Sequence, residues 1–196
     1  MKLVIATGNK GKISEIRELL NDIPIDILSL THFPGMPEII EDGAIFLDNA
    51  LIKARFTAKF TGHPSLADDS GLEVDALSGK PGVLSARYAP TTEERNYKLL
   101  KELESVPDHL RTARFVCALA LARPDGFEWS TTGTCEGSIT YSVSGDGGFG
   151  YDPVFYYQPL GKTFAELSRE EKNSVSHRGK ALRAFKKAVL AENLLK

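Results

Sequence analysis

The chain has 196 residues, 42% of them hydrophobic and 26% charged, with a formal net charge of -2 and two cysteines. That length and apolar content can close one substantial core, so a single globular domain over 1–196 is expected rather than a disordered tail. The near-neutral balance gives no global pull toward nucleic acid, and the longest apolar runs are far too short to span a bilayer.

In chain order, Lys2 to Gly8 reads as a short buried strand ending in a glycine turn, and Ile13, Ile16, Leu19 and Leu20 then recur at helical spacing up to Pro24. The apolar start leaves no room for a signal peptide, so a cytoplasmic location is expected. Ile25 to Leu30 reads as a second strand, Thr31 to Gly43 as a loop, and Ala44 to Phe60 as a helix. Ser65 to Leu77 reads as a strand interrupted near Gly71. Gly79 to Gly82 reads as a turn, and Thr91 to Leu103 as a helix capped by Thr91 or Thr92. Arg114 to Arg123, Phe127 to Glu136 and Ser138 to Val143 read as strands joined by glycine turns, and a long amphipathic helix follows Ser176 or His177 to about Leu195. Cys117, inside the apolar run Phe115 to Ala122, and the distant Cys135 read as buried thiols rather than a disulfide. With no repeat and no long linker, the pattern is α/β: a mixed sheet with flanking helices.

Four clusters carry candidate chemistry. Thr7, Gly8, Asn9, Lys10, Gly11 and Lys12 form a turn between strand and helix, where bare backbone, helix-end N–H groups and two lysines favour an anion. The spacing is not that of a P-loop, and an N-capped helix with surface lysines is the plainer alternative. Asp68 and Asp69 are adjacent carboxylates beside Ser70 and Gly71; carboxylate oxygens suit magnesium, and one carboxylate can take a proton from an attacking water. Glu41, in the preceding loop with Glu38 and Asp42 close by, is a further candidate ligand. The plainer alternative is a turn cap and an ion pair.

Gly145, Gly147 and Gly150 match G-x-G-x-x-G, but Pro153 and the aromatic run Phe155 to Tyr157 follow where a dinucleotide fold needs a helix. A loop presenting Phe149 and Asp152 remains, suited to stacking on a nucleobase and bonding to its edge, or to ordinary packing. Lys172, His177 and Arg178 supply donors just before and into the last helix. An arginine site favours a 6-oxo purine over a 6-amino one, since the guanidinium only donates. A helix cap and a surface charge are the plainer alternatives.

Six segments in this order resemble the inosine triphosphate pyrophosphatase family, the XTP/dITP pyrophosphatases. They are Thr7 to Lys12, Asp48 to Ala54, Ala67 to Gly71, Pro81 to Tyr88, Gly148 to Pro153 and Ser176 to Gly179. The resemblance implies a homodimeric enzyme with an elongated mixed sheet and an active cleft between two lobes. It implies magnesium-dependent hydrolysis of ITP, dITP and XTP to the monophosphate and pyrophosphate. By residue, it implies phosphate binding by Thr7, Gly8, Asn9, Lys10, Gly11, Lys12 and Lys53, with Asp69 the general base and Glu41 and Asp69 the metal ligands. Asp68 would support them, and Ser70 and Lys172 would also contact substrate. Phe149, Gly150, Tyr151, Asp152, His177 and Arg178 would hold the base. The competing expectations are a Maf-type pyrophosphatase of different base preference and a nucleotide-binding protein without hydrolysis, in which Asp69 is only structural.

Overall fold

The computed structural model describes residues 1–192, 194 and 195. The apolar run after Met1 forms β1 (Lys2–Ile5), whose last three residues are buried. Asn9 then caps α1 (Lys10–Leu19), which buries Ile16. β2 (Asp26–Ser29) lies parallel to β1. After a loop, α2 (Phe46–Thr61) ends at Gly62, whose left-handed conformation (φ 68°) releases the chain from the helix. β3 (Ser65–Val74) then pairs in parallel with the other edge of β1.

Thr91 caps α3 (Thr92–Glu102) in a reciprocal box with Glu94, which settles the choice between the two threonines. β4 (Thr112–Ala122), β5 (Glu128–Ile139), β6 (Phe155–Tyr157) and β7 (Lys162–Thr163) complete a seven-stranded sheet of order β2-β1-β3-β4-β5-β6-β7. β5, β6 and β7 pair antiparallel, so the sheet is mixed, as the pattern of elements led one to expect. The short helix α4 (Arg169–Val175) and the long α5 (His177–Glu192) close the chain.

Two expectations are corrected. β3 runs unbroken through Gly71, because polar side chains leave the backbone ladder intact and the two aspartates find partners beside the strand. Ser138 to Val143 is not a separate strand: β5 continues through Gly137, where a Cβ would come within 2.5 Å of the Tyr156 carbonyl. Glycine there permits a close approach of β6 and does not mark a turn. Of the two starts offered for the last helix the structure takes the first: Ser176, in extended backbone (φ -67°, ψ 158°), precedes a helix that begins at His177, and Lys172 lies just before it in α4.

The chain divides into two compact units, each built from more than one stretch. The first comprises Met1–Asp69, Cys117–Gly133 and Arg178–Lys196, and the second Ser70–Val116 and Thr134–His177. The core of the first gathers Leu3, Ile5, Ile16, Leu66, Leu119, Leu121, Leu182 and Phe185, with Trp129 tilted against Phe185. The core of the second gathers Leu72, Val74, Leu99, Phe115, Ile139, Phe155 and Phe164. Cys117 and Cys135 are both buried thiols, as expected. Among the described residues no helix is long and apolar enough to cross a membrane.

Candidate active site

The anion-binding candidate lies in the first unit, between β1 and α1. Thr7 Oγ1 accepts a hydrogen bond from the Asn9 N–H (3.2 Å), and Asn9 Oδ1 accepts one from the Lys12 N–H (3.1 Å). The two side chains therefore fix the turn and leave the helix start open. A Cβ placed on Gly8 would meet nothing within 4 Å, and Gly8 is not among the positive-φ residues. Nothing in the fold requires glycine there, and the bare backbone leaves the turn open to close approach. Lys10 is exposed, and Gly11 and Lys12 are half-buried in the first turn.

Asp68 and Asp69 follow on β3 and, as consecutive strand residues, project to opposite faces. Asp68 is buried. It pairs with Lys12 through Oδ1 and accepts from Arg178 Nε (3.0 Å) and from the Cys117 thiol (2.9 Å) through Oδ2. Burial alone would raise its pKa, but Arg178, Lys12 and the Cys117 hydrogen bond hold it well below the usual carboxylate range. Arg178 is itself buried, and its Nη1 donates to Glu15. Burial opposes its charge, while Asp68 and Glu15 raise its pKa further.

Asp69 has a different set of neighbours. Its Oδ1 accepts from Lys53 Nζ at 2.9 Å, and its Oδ2 from Asn49 Nδ2 at 3.4 Å. Lys53 Nζ also donates to Glu41 Oε2 at 2.7 Å. Burial raises the Asp69 pKa, helped by Glu41 and opposed by Lys53 and Lys12; the net shift is upward. Burial works against the Lys53 ammonium too, but Asp69 and Glu41 more than offset it and raise its pKa. Glu41 faces Asp69 across one ammonium, whereas Glu38 and Asp42 are exposed. Asn49 secures the arrangement, since its Oδ1 accepts from the Gly43 N–H at 2.8 Å while its amide reaches Asp69.

Two carboxylates already sharing one positive centre fit a divalent cation. Among the described residues no cluster of three or more His, Cys, Asp or Glu could hold a metal.

The second unit carries the candidate base-binding residues. Asp152 is buried, and its Oδ2 accepts from the Phe149 N–H and from Lys172 Nζ, both at 2.7 Å. The Lys172 ammonium also lies 4.6 Å from the Phe149 ring centroid. Tyr151 turns inward and donates its hydroxyl to the Ser85 carbonyl (2.9 Å), so only its main chain faces outward chemistry. Gly150 accepts through its carbonyl from Asn96 Nδ2 on α3 (3.1 Å). His177 is buried and stacks on Phe115 (centroids 4.7 Å apart, planes within 12°), joined to Phe155 and Phe164. Ser70, the first residue of this unit, is half-buried.

The structure thus brings Lys12, Asp68 and Arg178 together, gathers Glu41, Lys53 and Asp69 around one ammonium, and joins Phe149, Asp152 and Lys172. Sequence reading missed Glu15, Asn49, Ser85, Asn96 and Cys117. Asn49 and Ser85 lie inside quoted segments and so carried a signal. Glu15 looked like the solvent face of a helix, and Cys117 like one more apolar strand residue.

Residues 3–188 match the model of the Ham1 family. The chain is 54% identical over 186 residues to the dITP/XTP pyrophosphatase of Desulforamulus reducens, covering 93% of this chain and 92% of the relative. It is 53% identical over 191 residues to the protein of the same name from Thermus thermophilus, with 96% and 91% covered. A HAM1 protein of known structure from Coxiella burnetii superposes with a TM-score of 0.89 at 43% identity, covering 97% of this chain and 98% of the other. The family model over most of the chain, the relatives at about half identity and the shared fold agree, and the chain belongs to the Ham1 family.

Proposed function

We propose that the protein hydrolyses the non-standard purine nucleoside triphosphates ITP, dITP and XTP to the monophosphate and pyrophosphate, removing them from the nucleotide pool. The observation that carries this reading is the pair of adjacent aspartates in divided surroundings, one buried between Lys12 and Arg178 and one beside Lys53 and Glu41. Relatives named dITP/XTP pyrophosphatase at about half identity support the substrate class.

In this reading Thr7, Gly8, Asn9, Lys10, Gly11 and Lys12 bind phosphate oxygens through the open turn and its lysines, and Lys53 neutralises a further oxygen. Asp69, its pKa raised, accepts the proton of the water that attacks the α-phosphorus, while Asp68 keeps Lys12 and Arg178 in place. Glu41 and Asp69 would hold magnesium, which supplies charge neutralisation for the departing pyrophosphate. Phe149 stacks on the base, Gly150 and Tyr151 offer main-chain groups, and Asp152, Lys172, His177 and Arg178 bond to its edge. Ser70 contributes a hydroxyl. A homodimer working in the cytoplasm completes the proposal, resting on the family resemblance.

The test is to incubate the purified protein and magnesium with ITP, XTP, dITP, GTP, ATP and dTTP and to separate the products by ion exchange. Monophosphate and pyrophosphate from ITP and XTP, with ATP nearly untouched, are expected. Diphosphate and phosphate would refute the reaction, and preferential turnover of dTTP would transfer the protein to a pyrimidine-directed activity.

A further inference from the structure

Cys117 lies outside every group assigned above to substrate or cation. It stands on β4 with Leu119 and Leu121 in the core of the first unit, and its Sγ is 2.9 Å from Asp68 Oδ2. An alkyl side chain of similar volume would fill that position equally well. What the thiol adds is a hydrogen. The Asp68 side chain has no exposure to water; Lys12 meets its Oδ1, and Arg178 and Cys117 meet its Oδ2. A carboxylate deprived of a donor there has no solvent to replace it and turns toward the donors that remain. The thiol cannot change its role: burial and the Asp68 charge raise its pKa, so it stays protonated.

We infer that Cys117 is a positioning residue for substrate binding: its S–H fixes the Asp68 carboxylate in the orientation that presents Lys12 to phosphate and anchors Arg178. The inference rests on the roles proposed for those two residues. Because Lys12 and Arg178 are binding groups, the loss of this hydrogen bond appears chiefly in KM, and little in kcat.

The experiment compares Cys117→Val, which keeps the volume and loses the donor, with Cys117→Ser, which keeps a donor, in steady-state turnover of ITP and in thermal unfolding. Cys117→Val is expected to raise KM about fivefold, the size of one ordinary hydrogen bond from a weak donor, with kcat changed less than about twofold. Cys117→Ser is expected to restore KM even where its Tm falls as far as that of the valine variant. Equal KM shifts in the two, or none in Cys117→Val, overturn the inference. Should the valine variant fail to fold, infrared spectroscopy of the wild-type protein beside Cys117→Ser and Cys135→Ser decides, because each serine variant removes one thiol and so assigns the S–H stretching bands. A band displaced below the free-thiol frequency and lost in Cys117→Ser supports the inference; a Cys117 band at the free-thiol frequency refutes it. Absence of ITP turnover by the wild-type protein would instead overturn the proposed function and this inference with it.

Discussion

Asp68 and Asp69 are the same residue type in neighbouring positions, and their surroundings divide them. Asp68, sealed from water and ringed by Lys12, Arg178 and Cys117, is ionised and committed to holding those groups. Asp69 is half-buried, and burial raises its proton affinity, as a base requires. Asp69→Asn should therefore lower kcat by about 10²- to 10⁴-fold while nucleotide affinity, read by equilibrium titration, falls far less. Near-normal turnover would remove Asp69 from the role of base. Arg178→Ala should erode the preference for ITP over ATP, and it should also cost about 3–5 kcal/mol of stability, since it leaves Asp68 buried without a principal cation. Comparing specificity ratios with urea unfolding separates the two effects. An unchanged ratio would move base selection to Phe149, Asp152 or the main chain.

At the level of elements, caps and close contacts decide what a sequence pattern means. The Thr91 and Glu94 box gives α3 a defined start, so Thr91→Ala should cost about 1 kcal/mol in chemical unfolding without altering turnover. Gly137→Ala should be worse, at about 1–3 kcal/mol, because its Cβ would meet the Tyr156 carbonyl and the Phe155 ring. A stability equal to wild type would show that β6 yields there. These positions also explain how far the sequence could be read. Helices with caps and apolar spacing, and strands made of alkyl runs, were legible from local pattern alone. Gly137 and Gly71 were misread, because a glycine needed for approach by a distant strand, or tolerated in an unbroken one, looks the same in sequence as a glycine in a turn. In the site, the residues with unusual chemistry stood out in clusters. Glu15, Asn96 and Cys117 did not, because their importance comes from partners far along the chain.

At the scale of the whole molecule, each unit closes its own core, and the charged centre of the first joins α1, β3, β4 and α5. Its response to acid follows from Asp68. A carboxylate whose folded pKa is depressed contributes its full stability above the unfolded value, about pH 4, and loses it only as pH falls through the lower folded value. Unfolding free energy should therefore decline most steeply below about pH 4, and Asp68→Asn should flatten that acid limb. Urea titrations across the acid range check this, and an identical slope in the variant would discharge Asp68 from acid sensitivity.

The order of manufacture meets an obstacle in this architecture. Arg178, which neutralises Asp68, is 110 residues further along the chain. While a ribosome is still making the second unit, the first therefore holds a carboxylate without its main counter-charge and lacks the α5 side of its core. The nascent chain cannot finish its earliest part until α5 has emerged, so folding of the first unit should be among the last events of synthesis rather than the first.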